Sequence, residues 1–226
     1  MNALTIIGIA VVVIPSITSH EAAHGFAANR LGDPTARALG RLTLNPIPHI
    51  DPLFTILMPA MLLLLGSPIL FGGAKPVPVN VARLRHPRRD WAIVGAAGPL
   101  TNLALAIVFS AAVAILYRGF GMQPDAVAIQ ALSVGIYFNV LLCIFNLIPI
   151  PPLDGSRVMQ YFLSPGALVA YQRFERFGLL VIFALVLLFP PMQLFLASAL
   201  REVTYLVTTP FGATPVVEAA LHTVFR

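Results

Sequence analysis

Charged side chains are scarce in this chain. Asp, Glu, Lys and Arg together make up 10% of its 226 residues, whereas 58% of the residues are hydrophobic. A soluble domain usually carries about 25% charged residues, so the composition excludes an ordinary soluble protein and indicates a polytopic membrane protein. Cysteine is nearly absent as well, because Cys143 is the only one. An intramolecular disulfide is therefore excluded.

The hydrophobic residues are collected in long runs. These runs cover residues 3–28, 52–71, 91–117, 126–149 and 178–200. Each is close to the roughly 20 residues that cross a bilayer core, which predicts an all-α, polytopic membrane protein with about five or six membrane segments. We predict a single domain over residues 1–226, with a core up to about residue 160. Residues 161–226 would add a C-terminal helix and a tail that is either an interfacial helix or loosely ordered.

The basic residues lie in short loops between the apolar runs. The net charge of +5 comes almost entirely from arginine, because Lys75 is the only lysine. This distribution is typical of cytoplasmic loops in membrane proteins and does not indicate a nucleic-acid partner. If the basic loop 72–90 is cytoplasmic, the arginines of 30–51 can share that side only if run 52–71 turns back. The sequence therefore predicts a re-entrant or broken hairpin in 52–71.

The first apolar run contains three ionisable residues in the pattern H-E-x-x-H, at residues 20–24. Such groups are costly inside a membrane and usually have a function. On a helix, His20 and His24 lie on one face and can bind one metal ion. Glu21 lies beside them and could act as the general base toward a metal-activated water. A buried His/Glu set joined only by hydrogen bonds between helices is the structural alternative.

A catalytic zinc site needs a third protein ligand. Asp154 is the main candidate, because it follows the fourth apolar run in a Pro/Gly-rich stretch, although an aspartate there is often only a turn residue. His49 and Asp51, in the loop after the first run, are the other candidates. The residues alone leave this choice open.

Three motifs resemble those of the site-2 protease family of intramembrane zinc metalloproteases. They are H-E-x-x-H at residues 20–24, "GPLTN" at residues 98–102, and "NLIPIPPLDG" at residues 146–155. They extend over the chain up to about residue 160, and the order matches the family. The chain is similar to the minimal branch of this family, which lacks PDZ and CBS domains.

The resemblance implies a function for individual residues. His20, His24 and Asp154 would bind one zinc ion per chain, and Glu21 would be the general base. Asn146 is a candidate for stabilising the oxyanion or positioning the substrate, with an interhelical hydrogen bond as the alternative. Asn102 is expected to be structural or to contact the substrate.

The expected activity is hydrolysis of peptide bonds in membrane-embedded substrate helices. The partners would be a transmembrane protein or peptide and the lipid bilayer, whereas the oligomeric state stays open. We expect a multi-pass protein of a prokaryotic cell membrane, with its active site toward the cytoplasm. Pro15 and the Pro/Gly residues around Asp154 predict irregular backbone that lines a wet cavity. The alternation in "GRLTL", at residues 40–44, predicts a short strand that could pair with an extended substrate or merely cover helix ends.

Other functions are compatible with parts of the pattern. A catalytically inactive metal-binding protein would not need Glu21. A metal transporter would more often distribute its ligands along a path than place them beside a general base. A membrane zincin of the prenyl-protein processing type would need a glutamate ligand in an E-x-x-x-D context, and Glu175 has no such aspartate.

Overall fold

The fold is built from helices. A computed structural model of the chain describes residues 2–52, 57, 61 and 74–225, and these residues contain no β-strand. The predicted all-α class is therefore confirmed. The α-helices whose ends are described are α1 (Ala3–Arg30), α2 (Thr35–Ala38), α3 (Pro87–Phe120), α4 (Val127–Asn146), α5 (Asp154–Phe162), α6 (Pro165–Leu188), α7 (Pro190–Thr208) and α8 (Thr214–Val224).

Three helices of the described part, α1, α3 and α4, are long and apolar enough to cross a membrane. A fourth candidate span exists if α6 and the segment Pro190–Phe211 are counted together, although the two are bent by 84°. The predicted hairpin in 52–71 lies outside the described residues, except for positions 52, 57 and 61.

The last apolar run is not the continuous segment 178–200 that its hydropathy predicts. The helix breaks at Phe189, whose backbone is extended with φ −115° and ψ 94°. Pro190 and Pro191 follow, and a proline disfavours the helical conformation in the residue before it. The tail is not loosely ordered either, because α8 packs on α4 and contributes Val216, Val217 and Ala220 to the buried core.

The three candidate spans pack against one another. Near the start of both α1 and α4, the Thr5 hydroxyl donates to Gln130 Oε1 at 3.0 Å. Further along, Ser16 on α1 faces Asn139 on α4, so these two helices run in parallel. Helix α3 is antiparallel to both. An apolar core fills the space where α3 and α4 meet α7 and α8, and it includes Ala106, Val113, Ile129, Ile136, Val140, Leu200 and Val207.

The loop after α2 is held by side chains and not by a strand ladder. Residues 41–44 are irregular in the structure, in contrast to the short strand predicted there. Arg41 donates to the carbonyl of Lys75 at 2.7 Å, and the carbonyl of Thr43 is 3.0 Å from His49 Nε2. These bonds satisfy backbone groups that a neighbouring strand would otherwise pair.

Helix α1 continues through Pro15 without interruption. The irregular backbone predicted at this position is therefore wrong. The prediction holds around Asp154, since residues 147–153 are non-helical between α4 and α5. The irregular segment near the H-E-x-x-H motif therefore comes from another part of the chain than α1.

Candidate metal centre

The two histidines of the H-E-x-x-H motif lie on one buried face of α1. His20 is 7% exposed and His24 is 4% exposed, and their Nε2 atoms are 3.2 Å apart. Four residues along a helix bring side chains to the same face. The spacing in the sequence therefore predicted this pair correctly.

Asp154 joins the two histidines from the first residue of α5. Its Oδ2 is 3.1 Å from His20 Nε2 and 3.2 Å from His24 Nε2. The turn before α5 can approach this closely because the next residue is Gly155, where a Cβ would collide with the carbonyl group of Leu147. The structure thus brings Asp154, the main candidate for the third ligand, to both histidines. Within the described residues, His20, His24 and Asp154 form the one group of three that could hold a metal ion.

The hydrogen bonds of the histidines leave both Nε2 atoms free to bind a metal. His24 Nδ1 lies 2.7 Å from the carbonyl oxygen of Val94 and must donate to it. His20 Nδ1 lies 2.5 Å from Asn102 Oδ1. A neutral histidine that donates through Nδ1 has an unprotonated Nε2, which is the atom that faces the other ligands.

A chain of amides fixes the proton on His20. Asn139 Nδ2 donates to the Gly135 carbonyl at 2.8 Å, so its Oδ1 must accept. That Oδ1 is 2.7 Å from Asn102 Nδ2, which leaves Asn102 Oδ1 as an acceptor for His20. The Gly135 carbonyl can only accept a hydrogen bond. This fixes the direction of each hydrogen bond from Gly135 through Asn139 and Asn102 to His20. Such partners orient metal ligands and fix their tautomers.

The three ligand atoms fit a zinc ion. Asp154 Oδ2 is buried and accepts no hydrogen bond from the described residues, although two imidazole nitrogens lie within 3.2 Å of it. Three lone pairs that face one another repel unless a cation lies between them. Zinc bonds of about 2.0–2.2 Å place tetrahedral ligand atoms roughly 3.3–3.6 Å apart, within a few tenths of an ångström of the distances here. Two histidines and a carboxylate are also a known catalytic zinc set.

Helix α3 closes one side of this centre. Gly98 faces the two imidazoles, and a Cβ at this position would lie 2.5 Å from His24 Nε2 and 2.7 Å from His20 Nε2. Only glycine therefore allows α3 to pack this closely against the histidines. The sequence motif "GPLTN" thus supplies both the space at Gly98 and the hydrogen bond at Asn102.

Glu21 is tied to a segment distant in sequence. Its Oε2 accepts a hydrogen bond from the backbone N–H of Val77 at 3.0 Å. Val77 belongs to the non-helical residues 74–80, which precede the turn into α3. Sequence reasoning did not find this contact, because no pattern links a helix residue to a backbone N–H so far along the chain.

The other predicted candidates lie elsewhere. Asn146 donates to the carbonyl of Leu142 within α4, and no hydrogen bond in the described part of the chain joins it to the three ligands. Its catalytic role stays a prediction. His49 is buried and contacts the Thr43 carbonyl instead of the centre, and Asp51 is not part of the group that could hold a metal.

Two residues of the centre were missed in the sequence. Asn139 lies in the middle of α4 and Arg157 in α5, where its Nη1 is 3.0 Å from Asp154 Oδ1. A fully buried amide within an apolar helix, as at Asn139, is a signal that could have been followed, because such groups need partners. Arg157 carried no such signal, since arginines are common in the cytoplasmic loops of membrane proteins.

Helices of membrane-spanning length and a His–His–Asp group that could hold a metal ion together indicate a membrane metalloprotein. Residues 8–189 match the profile of Peptidase family M50. The chain is 39% identical to "Putative zinc metalloprotease YwhC" of Bacillus subtilis (strain 168) over 179 residues, which cover 77% of this chain and 78% of that protein. It is 30% identical to "Putative zinc metalloprotease Rip2" of Mycolicibacterium smegmatis over 188 residues, or 81% of this chain and 70% of that protein.

The chain therefore belongs to peptidase family M50 and is a zinc metalloendopeptidase. No solved structure matches it significantly. The resemblance to site-2 proteases that the three sequence motifs indicated is confirmed.

Proposed function

We propose that this chain hydrolyses peptide bonds of membrane-embedded substrate helices, with one zinc ion held by His20, His24 and Asp154. The convergence of three ligand atoms within 3.2 Å of one another, at the end of a span-length helix, carries the proposal. When bound, the metal supplies Lewis-acid activation of a water and of the scissile carbonyl.

Glu21 is the general base in this proposal. Its carboxylate follows His20 directly on α1, and Val77 N–H binds Oε2, so that Oε1 is left to receive a proton. Glu21 takes a proton from the water as the water oxygen bonds to the carbonyl carbon of the substrate. It returns this proton to the amine nitrogen when the C–N bond breaks. The Asn102 and Val94 oxygens hold the two imidazoles in place throughout.

We further propose a multi-pass topology in a prokaryotic cell membrane, with the centre near the cytoplasmic face. Arg30 ends α1, and Arg88 and Arg89 open α3, so the ends of these helices that lie nearest the centre carry exposed positive charge. Positive residues favour the cytoplasmic side. The packing of α8 on α4 supports a single domain that includes the C-terminal residues.

Metal content tests the site before any substrate is known. We expect about one zinc per chain in protein purified in detergent, measured by mass spectrometry of the metal, since three protein ligands form a catalytic site. Asp154→Ala should lose the zinc. His49→Ala is the matched control and should keep it, because His49 contacts Thr43 and not the centre. A zinc content that is unchanged in Asp154→Ala would contradict the proposed ligands.

Cleavage tests the base. The purified chain is reconstituted in vesicles with a library of single-span helical peptides, and products are detected by mass spectrometry. Glu21→Gln should retain zinc and lose cleavage by about 100-fold or more. Cleavage that survives this substitution would contradict the role of Glu21. Zinc without cleavage in the unaltered chain would favour an inactive metal-binding protein or a transporter.

A further inference from the structure

The two carboxylate oxygens of Asp154 have different surroundings. Oδ2 faces the two imidazole nitrogens. Oδ1 forms an ion pair with Arg157 Nη1 at 3.0 Å, three residues further along α5. The Asp154 carboxylate therefore has Oδ2 available to the metal, while Oδ1 is paired with the arginine.

Arg157 is also held by contacts other than its ion pair with Asp154. Its guanidinium carbon lies 4.6 Å from the centre of the Trp91 ring on α3, within the range of a cation–π contact. Its stem packs where Gly95 leaves space, since a Cβ at Gly95 would lie 2.7 Å from Arg157 Cβ. With the guanidinium against Trp91 and the stem packed at Gly95, the planar group keeps its N–H groups in one direction.

We infer that Arg157 is a positioning residue that limits Asp154 to binding zinc through Oδ2 alone. This inference rests on the zinc site of the proposed function. A carboxylate can offer a metal one or two oxygens, and a charge-assisted hydrogen bond to Oδ1 opposes the second. Binding through both oxygens would bring the metal ion and the guanidinium, which are both positively charged, onto Oδ1 together, and this would weaken both interactions.

One-oxygen binding matters for catalysis. Zinc in a catalytic site has three protein ligands and one position for water or substrate. A second Asp154 oxygen would compete for that position. Arg157 thus keeps the centre open, although it does not touch the reacting atoms.

Cobalt reports the number of ligands directly, because the visible bands of four-coordinate Co²⁺ are stronger than those of five-coordinate Co²⁺. We would load the detergent-purified chain with Co²⁺ and compare it with Arg157→Met. Methionine keeps an apolar stem against Trp91 but removes the charge and the donors. The expected result is weaker visible absorption in Arg157→Met, because a second Asp154 oxygen joins the metal, and a chelator competition measures the metal affinity of both proteins.

Two further variants separate this role from a structural one. Arg157→Lys keeps a charged donor and should restore most of the cobalt absorption. Arg201→Ala removes an arginine whose ion pair with Glu202 is exposed, with 67% and 68% of the two side chains accessible, and should resemble the wild type. Thermal unfolding of the metal-free proteins is measured alongside: Arg157→Met should be less stable because it leaves Asp154 Oδ1 without its ion pair, whereas Arg157→Lys keeps the charge and should stay close to the wild type.

The outcomes are distinct. Wild-type absorption and affinity in Arg157→Met would overturn the role of Arg157 and leave the zinc site standing. Equal losses in Arg157→Met and Arg157→Lys, with lower metal-free stability in both, would also overturn it, since they indicate a purely structural arginine. A folded wild type that binds no Co²⁺ would contradict the proposed site itself.

Discussion

Glu21 and Val77 are joined by a hydrogen bond of 3.0 Å between a carboxylate on α1 and a backbone N–H in the 74–80 segment. That segment is held at its ends as well. Lys75 N–H donates to the His49 carbonyl at 2.8 Å, and Asn80 N–H donates to Asp33 Oδ2 at 2.6 Å. The orientation of the proposed base thus depends on residues outside the helix that carries it.

Val77→Pro should slow cleavage and leave zinc bound. Proline has no N–H, so the Glu21 carboxylate would lose the donor that orients it. A misplacement of about 1 Å can reduce a rate by up to about 100-fold. The measurement is cleavage of a peptide from the vesicle library, together with zinc content. Val79→Pro is the matched control, because no hydrogen bond from Val79 N–H occurs among the described residues. Equal rates in the two variants would refute this role of Val77.

Asn102→Ala should weaken zinc binding by about 10–100-fold, as expected for loss of a residue that orients a ligand. The substitution removes the acceptor of His20 Nδ1 and leaves Asn139 Oδ1 without its donor. Chelator competition measures the affinity. Asn146→Ala should bind zinc like the wild type, since its amide bonds to Leu142 in the same helix. A larger loss in Asn146→Ala than in Asn102→Ala would contradict this assignment.

Gly98→Ala should remove zinc and destabilise the protein. The added methyl group would lie 2.5 Å from His24 Nε2, so either the imidazoles or α3 must move. Overpacking of this kind costs about 1–3 kcal/mol. Zinc content and thermal unfolding in detergent are the measurements. The methyl group of Gly119→Ala, on the same helix, meets only Ile115 at 4.0 Å in the described part of the chain, and this variant serves as the control. Normal zinc content in Gly98→Ala would show that the centre can expand.

Asp33 predicts a pH dependence of stability. It is fully buried, and burial acts to raise the pKa of its carboxyl group. Hydrogen bonds from Thr35 and from the Asn80 N–H outweigh this effect, so the pKa lies below its ordinary value. The lower folded pKa means that the charged form stabilises the fold. This contribution is complete above the ordinary aspartate pKa of about 4 and is lost as the pH falls through the folded value.

Asp33→Asn should therefore lower the free energy of unfolding by about 1–3 kcal/mol at pH 7. The difference in free energy of unfolding between Asp33→Asn and the wild type should shrink as the pH falls from 5, above the ordinary aspartate pKa, to 3, below it. Unfolding in detergent, followed by circular dichroism, provides the measurement. Asp125→Asn changes an exposed aspartate and should have little effect at any of these pH values. If the difference in free energy of unfolding is the same at pH 3 as at pH 5, the charged form of Asp33 does not stabilise the fold.

The three residues of the candidate centre were predicted from the sequence on different grounds. The four-residue spacing of His20 and His24 follows from helix geometry. Asp154 is one of three candidates on local grounds, the family motif around it indicates this choice, and the structure places it beside the two histidines in a group that could hold a metal ion. The hydrogen-bond chain from Ser16 through Asn139 and Asn102 to His20 could not be predicted, since it depends on how α1, α3 and α4 are aligned along their axes.

The prolines illustrate the same limit. Pro15 and Pro190 both interrupt apolar runs, yet α1 continues through the first and the helix breaks before the second. A second proline follows Pro190, whereas Pro15 stands alone in the middle of a helix that packs on α4. Neighbouring helices can support a helix that has lost one hydrogen bond. This support depends on the assembled fold, so the sequence around the proline does not reveal it.

The separation of the ligands along the chain also bears on biosynthesis. His20 and His24 enter the membrane with the first helix, whereas Asp154 follows only after α3 and α4 have been made. A chain synthesised only as far as α1 holds two of the proposed ligands and neither the Asn102 acceptor nor the third ligand. Tight zinc uptake must therefore wait until α5 has reached its place beside α3. A chain that ends before residue 154 lacks the third ligand of the proposed centre, so on the proposed function it should not cleave peptides until α5 is in place.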